Sequence, residues 1–429
     1  MAAQLYKTES GRLFHAGAIA IIMVGLPARG KTHISRALCR YLCWLGVKTK
    51  AFHVGHYRRK LIRHTVSHDF FDPANTATAD VRLEAANACL EAVMEYLLEG
   101  GQVGIYDGSN ATRDRRQYVL NRFRKENIQV VFVESICNDP KIVEANIRSV
   151  KASSKDVRAI MTRTEAAITD FQKRIQVSEP HYQAIDDDSL SYIKLINVDQ
   201  QIIVNDVQGF LPSRIVFYLM NLHTAPRTVY FARNGESTQE NLYKADAPLS
   251  KDGHKYAQRL QQVIAQRRKK RVALDDGGDS VLKIWTSTQQ YSYSTAEYFS
   301  SCPVRYRRSL QDINPGVVDG MSAKEIQDKY PHEFEQHLKD PYRHRYPRGE
   351  SYHDLAVRLE PVILELEHEK QDVLIIAHES VLRCLYAYFR GLQPEQIIPS
   401  LAMPRNTLLE ITPSAYGIKE NKIGIPLSD

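Results

Sequence analysis

Short unbroken apolar runs alternate with longer stretches of helical periodicity through the first half of the chain. Ile19-Ala20-Ile21-Ile22-Met23-Val24 is apolar at every position, as a strand buried on both faces must be. After it, Ile34, Ala37, Leu38, Tyr41, Leu42 and Leu45 fall at i, i+3, i+4, i+7, i+8 and i+11. That spacing puts them on one face of a helix, which Gly46 ends. The pattern continues with a strand over Thr49–Val54, a long helix over Thr78–Leu98 broken by Gly100-Gly101, and a strand over Val103–Asp107. A helix from Thr112 to Asn127 and a strand from Gln129 to Glu134 follow. Such alternation predicts an α/β domain with a mostly parallel sheet and helices on both faces. Ligands of such sheets bind at the C-terminal ends of the strands.

The second half repeats the design. A helix is expected over Gly209–His223, and Ala225-Pro226-Arg227 then breaks the pattern. The boundary is placed there, giving domains 1–226 and 227–429. Thr228–Ala232, Val281–Trp285 and Val373–Ala377 read as strands, each followed by polar residues. A second α/β sheet with a site at its strand ends is the expectation. Tyr352–Glu369 is a helix whose Leu355, Leu359, Val362, Ile363 and Leu366 share one face, which reads as core packing.

Composition narrows the class. At 429 residues the chain is long for one domain, and with 43% hydrophobic and 25% charged residues it is an ordinary globular sequence. No apolar run approaches the ~20 residues of a membrane span, and Met1–Lys7 lacks a signal-peptide core. Cys39, Cys43, Cys89, Cys137, Cys302 and Cys384 are dispersed, without a C-x-x-C pair. A cytoplasmic protein without membrane partners is expected. The net charge of +7 gives no reason to invoke nucleic acid and suits pockets for phosphorylated small molecules. The run Arg267-Arg268-Lys269-Lys270-Arg271 precedes Asp275-Asp276-Gly277-Gly278-Asp279. It reads as a solvated loop with facing charges, the alternatives being a nuclear-import signal or an anionic-surface contact.

The first chemical signal is Gly25-Leu26-Pro27-Ala28-Arg29-Gly30-Lys31-Thr32, which fits G-x-x-x-x-G-K-[ST] between a strand and a helix. Gly25 and Gly30 allow close backbone approach to phosphate, while Ala28 and Arg29 lie in the same cradle. Lys31 reaches the β- and γ-phosphates and the Thr32 hydroxyl suits Mg²⁺. Asp107 ends an apolar strand and reads as a Walker-B carboxylate for the same metal, or else as a helix N-cap. Arg58, Arg59, Arg82, Arg113, Arg115, Arg116, Lys151 and Arg174 supply cations in loops and at helix starts. Together these features read as an ATP- and Mg²⁺-dependent kinase with an anionic acceptor.

Four segments carry a closer likeness: the loop above, Val54-Gly55-His56-Tyr57-Arg58-Arg59, Asp107-Gly108-Ser109-Asn110-Ala111-Thr112-Arg113-Asp114-Arg115-Arg116, and Glu134-Ser135-Ile136-Cys137-Asn138-Asp139-Pro140. They resemble the 6-phosphofructo-2-kinase/fructose-2,6-bisphosphatase family over nearly the whole chain. The resemblance implies transfer of phosphate from ATP to fructose 6-phosphate, giving fructose 2,6-bisphosphate. It places Arg58, Arg82, Ser109, Arg115, Lys151 and Arg174 at the sugar phosphate, and Asp107 and Cys137 on active-site positions. For Cys137 a small buried thiol is the other reading. Where the family has a tyrosine four residues after Arg174, this chain has Ser178, and Tyr182 is expected to substitute. The family is commonly dimeric, so a homodimer is implied.

The second half resembles a histidine phosphatase, or phosphoglycerate mutase-like, domain, whose signature is Arg-His-Gly-Glu-Ser. Here the segment is Arg233-Asn234-Gly235-Glu236-Ser237. An amide nitrogen has no lone pair to attack phosphorus. The family's acid, a glutamate, corresponds to Asp312, and a phosphate-clamping arginine corresponds to Tyr291, while Arg233 and His378 remain. These departures predict a domain without phosphatase turnover, the alternatives being a bifunctional enzyme with weak residual phosphatase activity or a non-catalytic regulator that binds sugar phosphate and nucleotide.

Overall fold

The computed structural model describes residues 17–62, 66–140, 142–144, 146–147, 164–198, 200–223, 227–239, 242–243, 246–273, 281–392, 398–414 and 417–427. The chain forms two compact units that meet in sequence at Thr224 and Ala225. The Ala225-Pro226 break itself lies outside the described residues.

The first unit is a six-stranded sheet of order β2-β3-β1-β4-β5-β6. Its strands are β1 (Ile19–Val24), β2 (Thr49–His53), β3 (Val103–Asp107), β4 (Gln129–Ile136), β5 (Tyr192–Ile196) and β6 (Gln201–Asn205). All neighbours run parallel except β5 and β6. Helices α1 (Lys31–Trp44), α2 (Val54–Leu61), α3 (Ala79–Leu98), α4 (Arg113–Arg124), α5 (Thr164–Ser178) and α6 (Phe210–Asn221) join them.

Side-chain alternation explains the layering. Ala20, Ile22 and Val24 of β1 enter one core with Leu90, Val93 and Leu97 of α3 and Val119 and Phe123 of α4. On the other face α1 packs against β1 and α6, and Tyr41 stacks on Tyr218 with ring centroids 4.3 Å apart. The expected strands and helices recur within a few residues of their predicted ends. The antiparallel β5–β6 edge had no counterpart in the pattern, because β6 is short and mostly exposed, with only three apolar residues between Gln201 and Asn205.

The second unit is also six-stranded, in the order β12-β11-β7-β10-β8-β9. It comprises β7 (Val229–Arg233), α7 (Lys251–Ala273), β8 (Leu282–Thr286), α8 (Gln290–Ala296), β9 (Val304–Tyr306), α9 (Ala323–Lys329), α10 (Pro331–Lys339), α11 (Tyr352–His368), β10 (Asp372–Ala377), α12 (Glu379–Arg390), β11 (Thr407–Ser414) and β12 (Gly417–Gly424). Strand β10 lies parallel between β7 and β8. Tyr230, Ala232, Leu374 and Ile376 share a core with Tyr256, Leu260 and Ile264 of α7.

The basic run corrects one expectation. Arg267–Arg271 is not a loop but part of α7. Arg267 grips the buried Glu410 at 2.8 and 2.5 Å, and Arg271 bonds to the buried Asp372 at 3.1 Å. A carboxylate held at a sheet face is costly without a partner charge. The i, i+4 spacing of these two arginines turns both toward it. The acidic half of the run, 275–279, lies outside the described residues.

Candidate active site

The phosphate loop forms where β1 gives way to α1. Gly25 has φ +139°, and a Cβ there would stand 2.5 Å from the Ser135 carbonyl oxygen, so only glycine fits. Ala28 and Gly30 have φ of 59° and 81°, the left-handed backbone that curls N–H groups into an anion-binding concavity. The loop is tied on several sides. Gly25 N–H donates to the Ser109 carbonyl at 3.0 Å. Ser135 Oγ donates to the Arg29 carbonyl, and Asn146 Nδ2 to that of Ala28 at 3.0 Å.

Lys31 bends back over the loop, and its Nζ donates to the Leu26 carbonyl at 2.7 Å. The residue as a whole is partly exposed, yet desolvation around the ammonium pushes its pKa down to about 8, against the pull of Asp107 and with a smaller push from Arg29. Thr32 Oγ1 donates to Asp107 Oδ2 at 2.7 Å. His53 Nδ1 is hydrogen-bonded to the same oxygen at 2.7 Å, because the β2–β3 register pairs His53 with Asp107. Asp107 therefore faces the loop; the N-cap of α4 is Thr112, whose side chain accepts from Arg115 N–H.

The structure gathers three of the expected sugar-phosphate cations around the 3₁₀ turn His68–Phe71. The Arg174 guanidinium lies 4.3 Å from the Phe71 ring centroid, and that of Arg58 lies 5.2 Å from it. Arg82 Nη1 donates to the Phe70 carbonyl at 2.8 Å. Arg115 donates to Asn87 Oδ1 at 2.9 Å and to the Tyr106 hydroxyl at 3.0 Å. Ser109 meets the loop through its carbonyl. Lys151 lies outside the described residues.

Other singled-out residues have structural partners. Arg116 is buried, and its Nη1 donates to the carbonyls of Asn110, Ala111 and Gln183. Arg113 pairs with Asp186 at 2.7 Å. Cys137 is buried; desolvation pushes its thiol up, and its Sγ lies 3.9 Å from the Asp139 carbonyl. The Tyr182 hydroxyl donates to the buried Glu134, and Ser178 Oγ donates to the Arg174 carbonyl at 2.7 Å.

In the second unit Arg233, Asn234, Asp312 and His378 converge near the ends of β7 and β10. Asn234 N–H donates to the Ala377 carbonyl at 3.3 Å, its Nδ2 donates to the Gly235 carbonyl at 2.9 Å, and its Oδ1 is buried without a hydrogen-bond partner. His378 Nδ1 stands 2.7 Å from Asp312 Oδ1, out of hydrogen-bonding alignment. Tyr291 is buried in α8, and desolvation drives its phenol up, so it is neutral.

Several residues of these sites escaped the sequence reading. His53 ends β2 and meets Asp107, and Asp170 holds both Arg174, at 3.0 Å, and His68 N–H, at 2.8 Å. Glu379 pairs with Arg233 at 3.0 Å. His53 and Glu379 follow the same strand-end rule that singled out Asp107 and His378, so a signal for them existed. Asp170 lies four residues before Arg174 on one helix, a spacing that signals their pairing, whereas its contact with His68 arises only from tertiary folding. Among the described residues, no helix is long and apolar enough to cross a membrane.

Comparison with known proteins decides the lineage. Residues 6–226 match the family model for 6-phosphofructo-2-kinase, and residues 229–421 match the histidine phosphatase superfamily, branch 1. The chain belongs to the 6-phosphofructo-2-kinase/fructose-2,6-bisphosphatase family. It is 43% identical over 410 residues to 6-phosphofructo-2-kinase/fructose-2,6-bisphosphatase 3 of Rattus norvegicus, covering 94% of this chain and 71% of that one. It is 43% identical over 409 residues to isoform 4 of Homo sapiens, covering 94% and 84%. The Gallus gallus enzyme of the same name is 42% identical over 410 residues, covering 94% and 84%. The family's two-domain α/β architecture is the one described above.

Proposed function

We propose that domain 1–226 transfers the γ-phosphoryl group of ATP to the C2 hydroxyl of fructose 6-phosphate, and that domain 227–429 has no phosphatase turnover. The observation that carries the first part is the junction of Lys31, Thr32 and Asp107 at the loop of a 6-phosphofructo-2-kinase domain.

The residues present suit a nucleotide and a divalent cation. The left-handed backbone at Ala28 and Gly30 curls the loop N–H groups into an anion-binding concavity, and one hydroxyl plus one carboxylate is the donor set that Mg²⁺ takes alongside phosphates and water. When bound, Mg²⁺ supplies charge neutralisation to the phosphate oxygens. Lys31 adds positive charge at the transferring group, and the loop N–H groups fix its orientation. Arg58, Arg82 and Arg174 form the cationic wall for the acceptor's 6-phosphate, with Arg115 and Lys151 assigned to the same ligand. Phase-space restriction and electrostatics suffice for a loose phosphoryl transfer, in which the hydroxyl proton leaves late, so no general base is assigned. Cys137 is read as a packing thiol.

For the second domain, Asn234 supplies no nucleophile. The protein is assigned to the cytoplasm. Incubation with labelled ATP, Mg²⁺ and fructose 6-phosphate tests the kinase: an acid-labile 2-phosphate ester must appear, and its absence defeats the reading.

A further inference from the structure

The phosphate-type pocket of the second domain already contains an anion. Arg233 Nη1 donates to Glu379 Oε2 at 3.0 Å and to the Met403 carbonyl at 3.2 Å. The other oxygen of Glu379 accepts from Arg383 Nη2 at 2.7 Å and from Met403 N–H at 3.4 Å. Glu379 is also the first residue of α12, where the helix dipole favours negative charge. Two guanidinium groups, a backbone N–H and a helix N-terminus are what proteins otherwise offer to a phosphate.

Arg358 Nη2 donates to the Asp312 carbonyl at 3.3 Å and is paired with Glu350 at 2.9 Å. Asp312 Oδ1 accepts from Ser380 Oγ at 2.6 Å and from Ile313 N–H at 2.7 Å, and so stands as a second carboxylate beside His378. Tyr291 is neutral, and Asn234 turns an unpartnered oxygen into the same region. Arg233 and Arg383 both spend a guanidinium N–H on the Glu379 carboxylate.

We propose that Glu379 is a built-in anion that fills the phosphate site of the second domain and excludes phosphate monoesters from it. A pocket lacking only its nucleophile would still bind such an ester; this one does not. A phosphate dianion entering beside the Glu379 carboxylate meets like charge at close range, which opposes binding. Entry would require the carboxylate to leave both arginines. The product of the kinase domain is then released to solvent, not held by its neighbour domain. That last consequence rests on the function proposed above, whereas the exclusion itself does not.

The test titrates inorganic phosphate into the full chain at constant pH and ionic strength, following the His378 ring resonances in histidine-labelled protein. His378→Ala assigns the signals. The wild-type resonances are expected to show no saturable shift. In Glu379→Gln, which keeps the side-chain shape, saturable binding is expected, tighter than wild type by roughly ten- to a hundredfold. Saturable binding by the wild type with the affinity of the variant overturns the proposal. Absence of binding in both proteins overturns it too, provided Glu379→Gln retains the wild-type circular dichroism, since Glu379 is then not the excluding group. Glu379→Ala repeats the comparison if the glutamine variant fails to fold. Saturable phosphate binding by the wild type would defeat this inference while leaving the absence of phosphatase turnover intact.

Discussion

Thr32 Oγ1 and Asp107 Oδ2 are 2.7 Å apart, which joins the first turn of the phosphate-loop helix to the end of β3. The contact sets a hydroxyl and a carboxylate side by side, as the metal site proposed above requires. Asp107→Asn preserves the shape and removes the charge. We expect kcat for synthesis to fall by about two to three orders of magnitude, the range seen when one preorganised electrostatic group is lost. Circular dichroism should be unchanged. A kcat within about threefold of wild type would remove Asp107 from the metal site.

Lys31 sets a pH dependence for nucleotide binding. Its ammonium is desolvated to about 8 in the free protein. Nucleotide phosphates favour the charged form, so binding raises this pKa. Near pH 8.5 the free side chain is mostly neutral and must take up a proton on binding. Affinity for ATP therefore falls as pH rises through about 8. Calorimetry in two buffers of different ionisation enthalpy should show proton uptake of about three-quarters at pH ~8.5, falling toward zero near pH ~6.5. Uptake that does not change over this interval counts against Lys31 as the phosphate-facing cation.

Arg174 is stacked on Phe71 and anchored by Asp170, so its guanidinium is oriented before any acceptor arrives. Loss of one charge-assisted contact to phosphate weakens binding by roughly ten- to a hundredfold. Arg174→Ala should raise KM for fructose 6-phosphate by that factor and leave KM for ATP within about twofold. Arg174→Lys should recover little, because a point charge neither stacks nor forks. Equal changes in both KM values would indicate a general disturbance of the domain.

The elements that were legible in the sequence are those in which one force dominates. β1, β3 and β10 are apolar at nearly every position and were readable to within a residue. The phosphate loop was readable because its geometry demands glycine at Gly25. The α7 basic run was misread because its partners, Glu410 and Asp372, come from strands more than a hundred residues away in sequence. Charge density alone could not distinguish solvation from pairing. The same limit hid the pairing of Asp170 with His68 and of Arg233 with Glu379, residues that become neighbours only in the fold.

Gly25 offers a test of the loop that does not depend on the acceptor. Alanine there would press its Cβ against the Ser135 carbonyl at 2.5 Å and must adopt φ +139°. Strain of that kind costs about 1–3 kcal/mol. Gly25→Ala should lower the thermal midpoint by several degrees and abolish measurable ATP binding. Full nucleotide affinity in a stable Gly25→Ala protein would mean that the loop backbone does not approach the phosphates as read here.

Restoring the nucleophile should not by itself restore a phosphatase. Asn234→His returns an imidazole to the end of β7, but attack on phosphorus needs the ester held in line. The cation beside it, Arg233, is bonded to Glu379. The clamp position is the neutral, buried Tyr291, and Asp312 is engaged by Ser380 and Ile313 N–H. We expect Asn234→His alone to release no phosphate from 2-labelled fructose 2,6-bisphosphate above the wild-type background. Adding Glu379→Gln frees Arg233 and should raise release by at least about tenfold over the single variant, one charge-assisted contact being worth that much. Tyr291→Arg in the same background should add a further gain if the buried site admits the guanidinium. Robust turnover by Asn234→His alone would show that binding was never lost, and that the missing histidine was the domain's sole defect.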